Sequence, residues 1–175
     1  MTEIYTIGHS NRKLEDFLRL LTSYNIDIVV DVRRWPKSSK YPHFNKENLT
    51  QELQKAGIQY LWFEVLGGYR KFGKDVNDIK IANCFKSEGF RAYATYMVTS
   101  ESVKGALNQI SSIAKETRIA IMCAEALPWN CHRKIISDWF VSKGFRVLHI
   151  INEGKTVEHK LSSCAVIDNG ELRYV

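Results

Sequence analysis

Short β-branched runs alternate with stretches of 3.6-residue apolar periodicity along almost the whole chain, and this alternation constrains the fold more than any other feature. Ile4-Tyr5-Thr6-Ile7 is a β-type run ended by Gly8, and Leu14, Phe17, Leu18 and Leu21 then recur with helical spacing. Ile26 to Val32 reads as a buried strand. Asn45 is placed to cap a second helix, with Phe44 and Leu49 as a hydrophobic staple, Leu53 and Ala56 on its apolar face and Gly57 at its end. Ile58 to Phe63 reads as the next strand. Helical pieces follow around Phe90 to Val98 and, capped by Ser100, through Val103, Leu107, Ile110 and Ala114. Arg118 to Cys123 is a central strand, Ile135, Ile136, Trp139 and Phe140 form a buried helical stripe, and Arg146 to Ile151 is another strand. Asn169-Gly170 marks a hairpin within Ala165 to Val175. Strands separated by helices imply a mainly parallel sheet flanked by helices on both faces, a Rossmann-like three-layer α/β fold with a C-terminal β-hairpin. The expected organisation is one domain over residues 1–175.

The stretch from Glu64 to Glu88 breaks the pattern, with a short helix expected near Asp78 to Phe85. Connections this long in a compact domain are usually functional loops. A hydrophobic fraction of 45% and a charged fraction of 25% exclude disorder and coiled coil. No apolar run approaches the ~20 residues of a membrane helix, and no signal-peptide pattern opens the chain. The expected location is the cytoplasm, with no membrane partner. There the four cysteines, Cys84, Cys123, Cys131 and Cys164, are expected to be reduced. Cys84 and Cys164 read as small, partly buried apolar residues. The net charge of +6 points to an anionic partner, either nucleic acid or a phosphorylated small molecule.

Ligands of open parallel sheets bind at the carboxyl ends of the strands. Those ends carry His9-Ser10, Arg33-Arg34-Trp35, Cys123-Ala124-Glu125 and, near the last strand, His149. The richest segment runs from Cys123 through Glu125 to Cys131-His132-Arg133. With Asn130 as N-cap, Cys131 would occupy the first helical position, where the helix dipole and Arg133 both lower a thiol's pKa. Three kinds of chemistry fit. The first is a thiolate nucleophile beside an anion cradle, although Cys123 and Arg133 are ten apart and do not form the C-x5-R loop of thiol phosphatases. The second is a zinc or iron site drawn from Cys123, Cys131, His132, His149 and Glu125, whose spacing matches no standard ligand pattern. The third is binding without covalent chemistry, with Glu125 as general base.

His9 has the neutral-range pKa of an acid–base group, and His43 and His159 read as solvated. Asp31 interrupts an apolar strand and needs a partner, for which Arg33 is placed on the same side. Arg33 to Lys46 interleaves basic residues with Trp35, Tyr41 and Phe44, the composition of a single-strand nucleic-acid surface. Gly67, Gly68 and Arg70 of the long loop join Ser10, Arg33 and Trp35 as candidate ligand contacts.

Taken together, TIGHS at Thr6 to Ser10, DVR at Asp31 to Arg33, MCAE at Met122 to Glu125, CHR at Cys131 to Arg133 and HI at His149-Ile150 resemble domain-of-unknown-function family 488 (DUF488). The resemblance implies a compact intracellular α/β domain with motif positions at His9, Ser10, Asp31, Arg33, Cys123, Glu125, Cys131, His132, Arg133 and His149. It brings no reaction with it. The residues therefore carry the functional expectation. That expectation is an enzyme-like domain holding an anionic nucleotide, nucleic-acid or phosphorylated ligand at a Cys/Glu/Cys-His-Arg centre. The alternative is a metal- or nucleic-acid-binding module without turnover.

Overall fold

Strand β1 (Glu3–Gly8) occupies the inside of the sheet, pairing in parallel with β4 (Ile119–Cys123) on one side and β5 (Arg146–Asn152) on the other. The computed structural model describes residues 2–175. With β2 (Ile28–Asp31), β3 (Gln59–Trp62) and β6 (Lys155–Glu158), the sheet runs β3-β2-β4-β1-β5-β6. Only β6 is antiparallel; it follows Gly154 as a short edge strand that the sequence pattern did not indicate. The expected α/β architecture is the one observed.

The period of two along each strand sorts the two cores. Ile119, Ile121 and Cys123 face one layer, whereas Ala120 and Met122 face the other. Helices α1 (Leu14–Ser23) and α2 (Lys46–Lys55) cover the second face, burying Phe17, Leu21, Leu49 and Leu53 completely. Each such side chain contributes about 1.5–3 kcal/mol by leaving water. Helices α3 (Glu88–Thr99), α4 (Glu101–Ala114) and α5 (Arg133–Ser142) cover the first face. Ser87 and Ser100 cap α3 and α4, accepting from the Phe90 and Val103 amides. Asn45 sits at the α2 cap position, but its side chain accepts from the Ser38 amide and ties down the preceding loop instead.

The hairpin of β7 (Ala165–Asp168) and β8 (Glu171–Tyr174) turns at Asn169-Gly170, both left-handed as a type I′ turn requires, and buries Leu172 and Tyr174 in the α3–α5 layer. No helix among the described residues is long and apolar enough to cross a membrane.

Two expectations are overturned in the long connection. No helix forms over 78–85; Lys80 and Ala82 adopt left-handed backbone, and Asp78 instead takes a two-pronged grip from Arg91 of α3. Nor are Cys84 and Cys164 unpaired: they are joined in a disulfide. Backbone bonds from Asn83 to Val175 and from Val175 to Cys164 bring the loop and the hairpin entry together, leaving the two Cα atoms 5.4 Å apart. That is within bridging range. The partners are 80 residues apart, so no local pattern announces them.

Candidate active site

The segment after β4 is pressed onto the end of β1. The His9 and Ser10 amides donate to the Cys123 and Ala124 carbonyls at 2.9 Å, and a Cβ on Gly8 would meet the Glu125 carbonyl oxygen at 1.7 Å. Glycine is the residue that lets the loop lie there. The loop then makes a 3-10 turn over Pro128–Asn130 before α5. Asn130 is thus not the cap of α5 and Cys131 is not its first helical residue. Pro128 starts the tighter turn, the Cys131 amide closes it, and Cys131 itself is extended. Its sulfur then serves where a capping oxygen would, accepting from the Arg133 amide at 3.4 Å.

Arg133 is fully buried. Its guanidinium donates to Thr6 Oγ1 (2.9 Å) and to the carbonyls of Glu125 (2.7 Å) and Ala126 (3.3 Å), and its Nε has no partner. It also lies beside the sulfurs of Cys123 and Cys131. No carboxylate among the described residues pairs with it. Burial pushes the Cys131 thiol up, but a hydrogen bond from Cys123 and the charge and amide of Arg133 outweigh this and bring it down to about 7. Burial drives the Cys123 thiol well above its usual range, and its neighbour Cys131 adds to this. The two cysteines therefore differ in kind: Cys123 holds its proton, whereas Cys131 titrates in the neutral range.

His132 Nε2 faces the Val32 carbonyl at 2.8 Å, so this nitrogen carries a proton. Its Nδ1 lies 3.5 Å from the Cys131 sulfur. A proton between sulfur and Nδ1 can sit on either without moving a heavy atom. Burial lowers the pKa of His132, favouring neutral imidazole. The ring is held edge-on by Tyr93 of α3, and Gly68 leaves the space beside it, since a Cβ there would stand 3.1 Å from Nδ1.

On the far side of the sheet end, Asp31 and Arg33 form the anticipated pair. Arg33 Nη2 meets Asp31 at 2.8 Å, the Arg33 amide and Nε add further bonds, and the Tyr60 hydroxyl donates to the same carboxylate. Arg33 Nη1 points to His9 Nε2 at 3.3 Å, while His9 Nδ1 donates to the Ser10 carbonyl. Burial above all lowers His9 to about 4, so it stands neutral as an acceptor for Arg33.

These groups surround a cavity of about 630 Å³ at the strand ends. Cys123, Cys131, His132, His9, Arg33 and Ser10 all line it, with Glu125 exposed at the mouth. Trp35 (61% exposed) and Tyr69 (75% exposed) form the rim, ring centres 5.7 Å apart, with the Arg34 guanidinium over Trp35. Ser10 and Tyr69 both hold left-handed backbone, conformations that store strain at the wall.

Other candidates stand elsewhere. Gly67 packs on the Arg34 backbone, and Arg70 holds the carbonyls of Gly67 and Glu64, so both shape the loop. Phe44 is buried and stacked on His9, leaving Trp35 as the freely exposed aromatic of the basic loop. His43 is not solvated but bonded to the Arg12 carbonyl. His159 is likewise held, between His149 and Asp138. His149 turns to Thr6 and His159, away from the cysteines, and no three His, Cys, Asp or Glu among the described residues gather as a metal site. Sequence reasoning missed Tyr93, Phe90 and Tyr69 on the cavity wall; Tyr93 lies among apolar helical neighbours and carries no local signal.

The family model described as "Domain of unknown function DUF488" matches residues 13–140. Neither a curated protein nor a solved structure matches the chain. The matched span covers Asp31, Arg33 and the whole cysteine segment through Arg133, and leaves β1 and His149 outside it. The chain belongs to the DUF488 family.

Proposed function

We propose that the protein is a thiol enzyme, with Cys131 as the nucleophile acting on an anionic, nucleotide-like ligand in the strand-end cavity. One observation carries this reading: Arg133 is fully buried without a carboxylate partner and lies against two sulfurs. A buried cation without a counter-ion is costly. A thiolate on Cys131 supplies the missing charge. His132 accepts the thiol proton at Nδ1 while Val32 fixes its other nitrogen, the nucleophile–base–orienter order of cysteine enzymes. The sulfur then bonds to an electrophilic centre of the ligand as the bond to the leaving group breaks, and the leaving group departs with the bonding pair and takes up the proton held at His132 Nδ1. Arg34 and Lys37 attract the anion, and Trp35 with Tyr69 offers ring faces for a base.

The test is the alkylation rate of each free cysteine against pH, read by peptide mass. Cys131 is expected to react with a midpoint near 7 and Cys123 not to react at neutral pH. Arg133→Met should move the Cys131 midpoint upward. A Cys131 midpoint at the free-thiol value of ~8.5 contradicts the reading. The exposed Trp35 beside Arg34 and Lys37 favours, as a second reading, single-stranded nucleic acid bound without turnover.

A further inference from the structure

Behind Arg133, away from the cavity, runs a row of buried polar groups that the thiol chemistry does not use. Thr6 points from β1 toward α5, and its Oγ1 accepts from Arg133 Nη1 at 2.9 Å. The same oxygen lies 2.6 Å from His149 Nδ1. His149 Nε2 is 2.9 Å from His159 Nδ1, and His159 Nε2 is 2.8 Å from Asp138 Oδ1. Asp138, fully buried on α5, also receives the Ser162 amide (3.0 Å) and the Tyr174 hydroxyl (2.7 Å) of the hairpin.

With a single proton on each imidazole ring, the two ends fix every proton between them. A guanidinium only donates and a carboxylate only accepts. Asp138 therefore receives from His159 Nε2, which leaves His159 Nδ1 to accept from His149 Nε2. His149 Nδ1 must then accept from the Thr6 hydroxyl, whose lone pairs turn to Arg133. Every link uses one hydrogen, and none is broken. Burial above all, helped by His159 and Arg133, lowers His149 to about 3, so that ring carries a single proton. The row thus leads from the carboxylate-free Arg133 to the nearest buried acid it can reach by continuous hydrogen bonding.

We propose that Thr6, His149, His159 and Asp138 are positioning residues that hold the Arg133 guanidinium beside the Cys131 sulfur, with Tyr174 of the hairpin anchoring the far end. The proposal rests on the thiolate reading of Cys131. If the Thr6 hydroxyl loses its acceptor at His149, it turns freely, and Arg133 Nη1 loses a fixed partner. The titratable and charged groups around Cys131 are Cys123 of β4, Tyr93 of α3, His132 just before α5, and Arg133 and Lys134 of α5. None of them is altered by the variants below.

The experiment follows the thiolate of Cys131 by its ultraviolet absorbance against pH, each variant being compared with the same chain carrying Cys131→Ser. Thr6→Val, of the same shape, cuts the row beside Arg133 and should raise the Cys131 midpoint by about half a unit or more. Thr6→Ser should restore it. His149→Phe, which removes both ring nitrogens of the next link without changing the net charge of the neutral row, should raise it in the same direction. If Thr6→Val does not fold, His159→Gln, toward the surface end of the row, takes its place. A row that only secures the hairpin would lower stability and leave the midpoint unmoved. Unmoved midpoints in folded Thr6→Val (or His159→Gln) and His149→Phe, with the unaltered chain titrating near 7, overturn the positioning role while the thiolate reading stands. An unaltered chain titrating near the free-thiol value overturns both.

Discussion

Gly8 and Glu125 meet backbone to backbone: the α-carbon of one faces the carbonyl oxygen of the other so closely that a Cβ would stand 1.7 Å from it. That contact seats the cysteine loop on the end of β1, and through it the Glu125 carbonyl reaches Arg133. Gly8→Ala should force the loop outward. We expect a stability loss of about 1–3 kcal/mol in urea unfolding, together with an upward shift of the Cys131 alkylation midpoint. An unchanged midpoint would show that the loop can be displaced without disturbing Arg133.

Arg33 neutralises a carboxylate that has no access to water. Arg33→Met should cost about 3–5 kcal/mol, because Asp31 is left charged and buried. Arg33→Lys should recover little of this, since one ammonium cannot reproduce the forked contact through Nε and Nη2 while also reaching His9. Equilibrium unfolding of the two variants side by side decides the matter.

Stability should fall on mild acidification. His9 is lowered to about 4 and His149 to about 3, both chiefly by burial. Unfolded, each takes its proton near ~6.5. Between these values the unfolded chain binds more protons than the folded one, so stability is full above ~6.5 and decreases as the pH drops below it. The slope should reach up to about 1.4 kcal/mol per pH unit for each histidine. Urea midpoints measured from pH 7.5 down to 5 should decline steadily below 6.5; a flat profile contradicts two neutral buried rings.

The Cys84–Cys164 bridge closes a large loop and should stabilise the chain by about 2–4 kcal/mol. Replacing both cysteines by Ser is expected to lower the urea midpoint by that amount. The alkylation rate of Cys131 should stay within a factor of two, because neither sulfur reaches the cavity wall.

If a nucleic-acid single strand lies across the rim, its affinity should fall with salt by about 0.7 log units per phosphate for each tenfold increase. Lys37→Ala with Lys40→Ala should flatten that dependence. Trp35→Ala should cost roughly 1–3 kcal/mol without changing it. A nucleotide held at the cavity alone would depend on Arg34 and Trp35 and be indifferent to Lys40. Titration by anisotropy at several salt concentrations separates these outcomes.

The strand-end residues of the site were legible in the sequence because a parallel sheet fixes where strands finish. His9, Arg33, Cys123, Cys131 and His132 all line one cavity for that reason, with Arg133 buried behind it. The Asp31–Arg33 pair was legible because an acid in an apolar strand demands a partner. What lay out of reach were contacts between distant elements. Thr6 reads as an ordinary β-former, and Asp138 as a polar residue of an amphipathic helix, although it falls on the stripe of Ile135 and Trp139. The cap of α5 was misplaced because Pro128 supports a 3-10 turn as readily as it precedes a helix. Cys84 and Cys164 meet only once the hairpin has docked.

β1 finds both its neighbours late. Its partners β4 and β5 begin at Ile119 and Arg146, so more than a hundred residues must leave the ribosome before this strand can pair on either side. Until then an apolar strand waits with both edges open, a situation that slows folding and invites association. Thr6, Gly8 and the His9 amide act only once β1 is seated. Synthesis therefore completes the thiol centre at the end of folding, after the α1–β2–α2–β3 half has had its chance to form, and a chain arrested before β5 would carry every cavity-lining residue discussed above but none of the row behind Arg133 beyond Thr6 and Asp138.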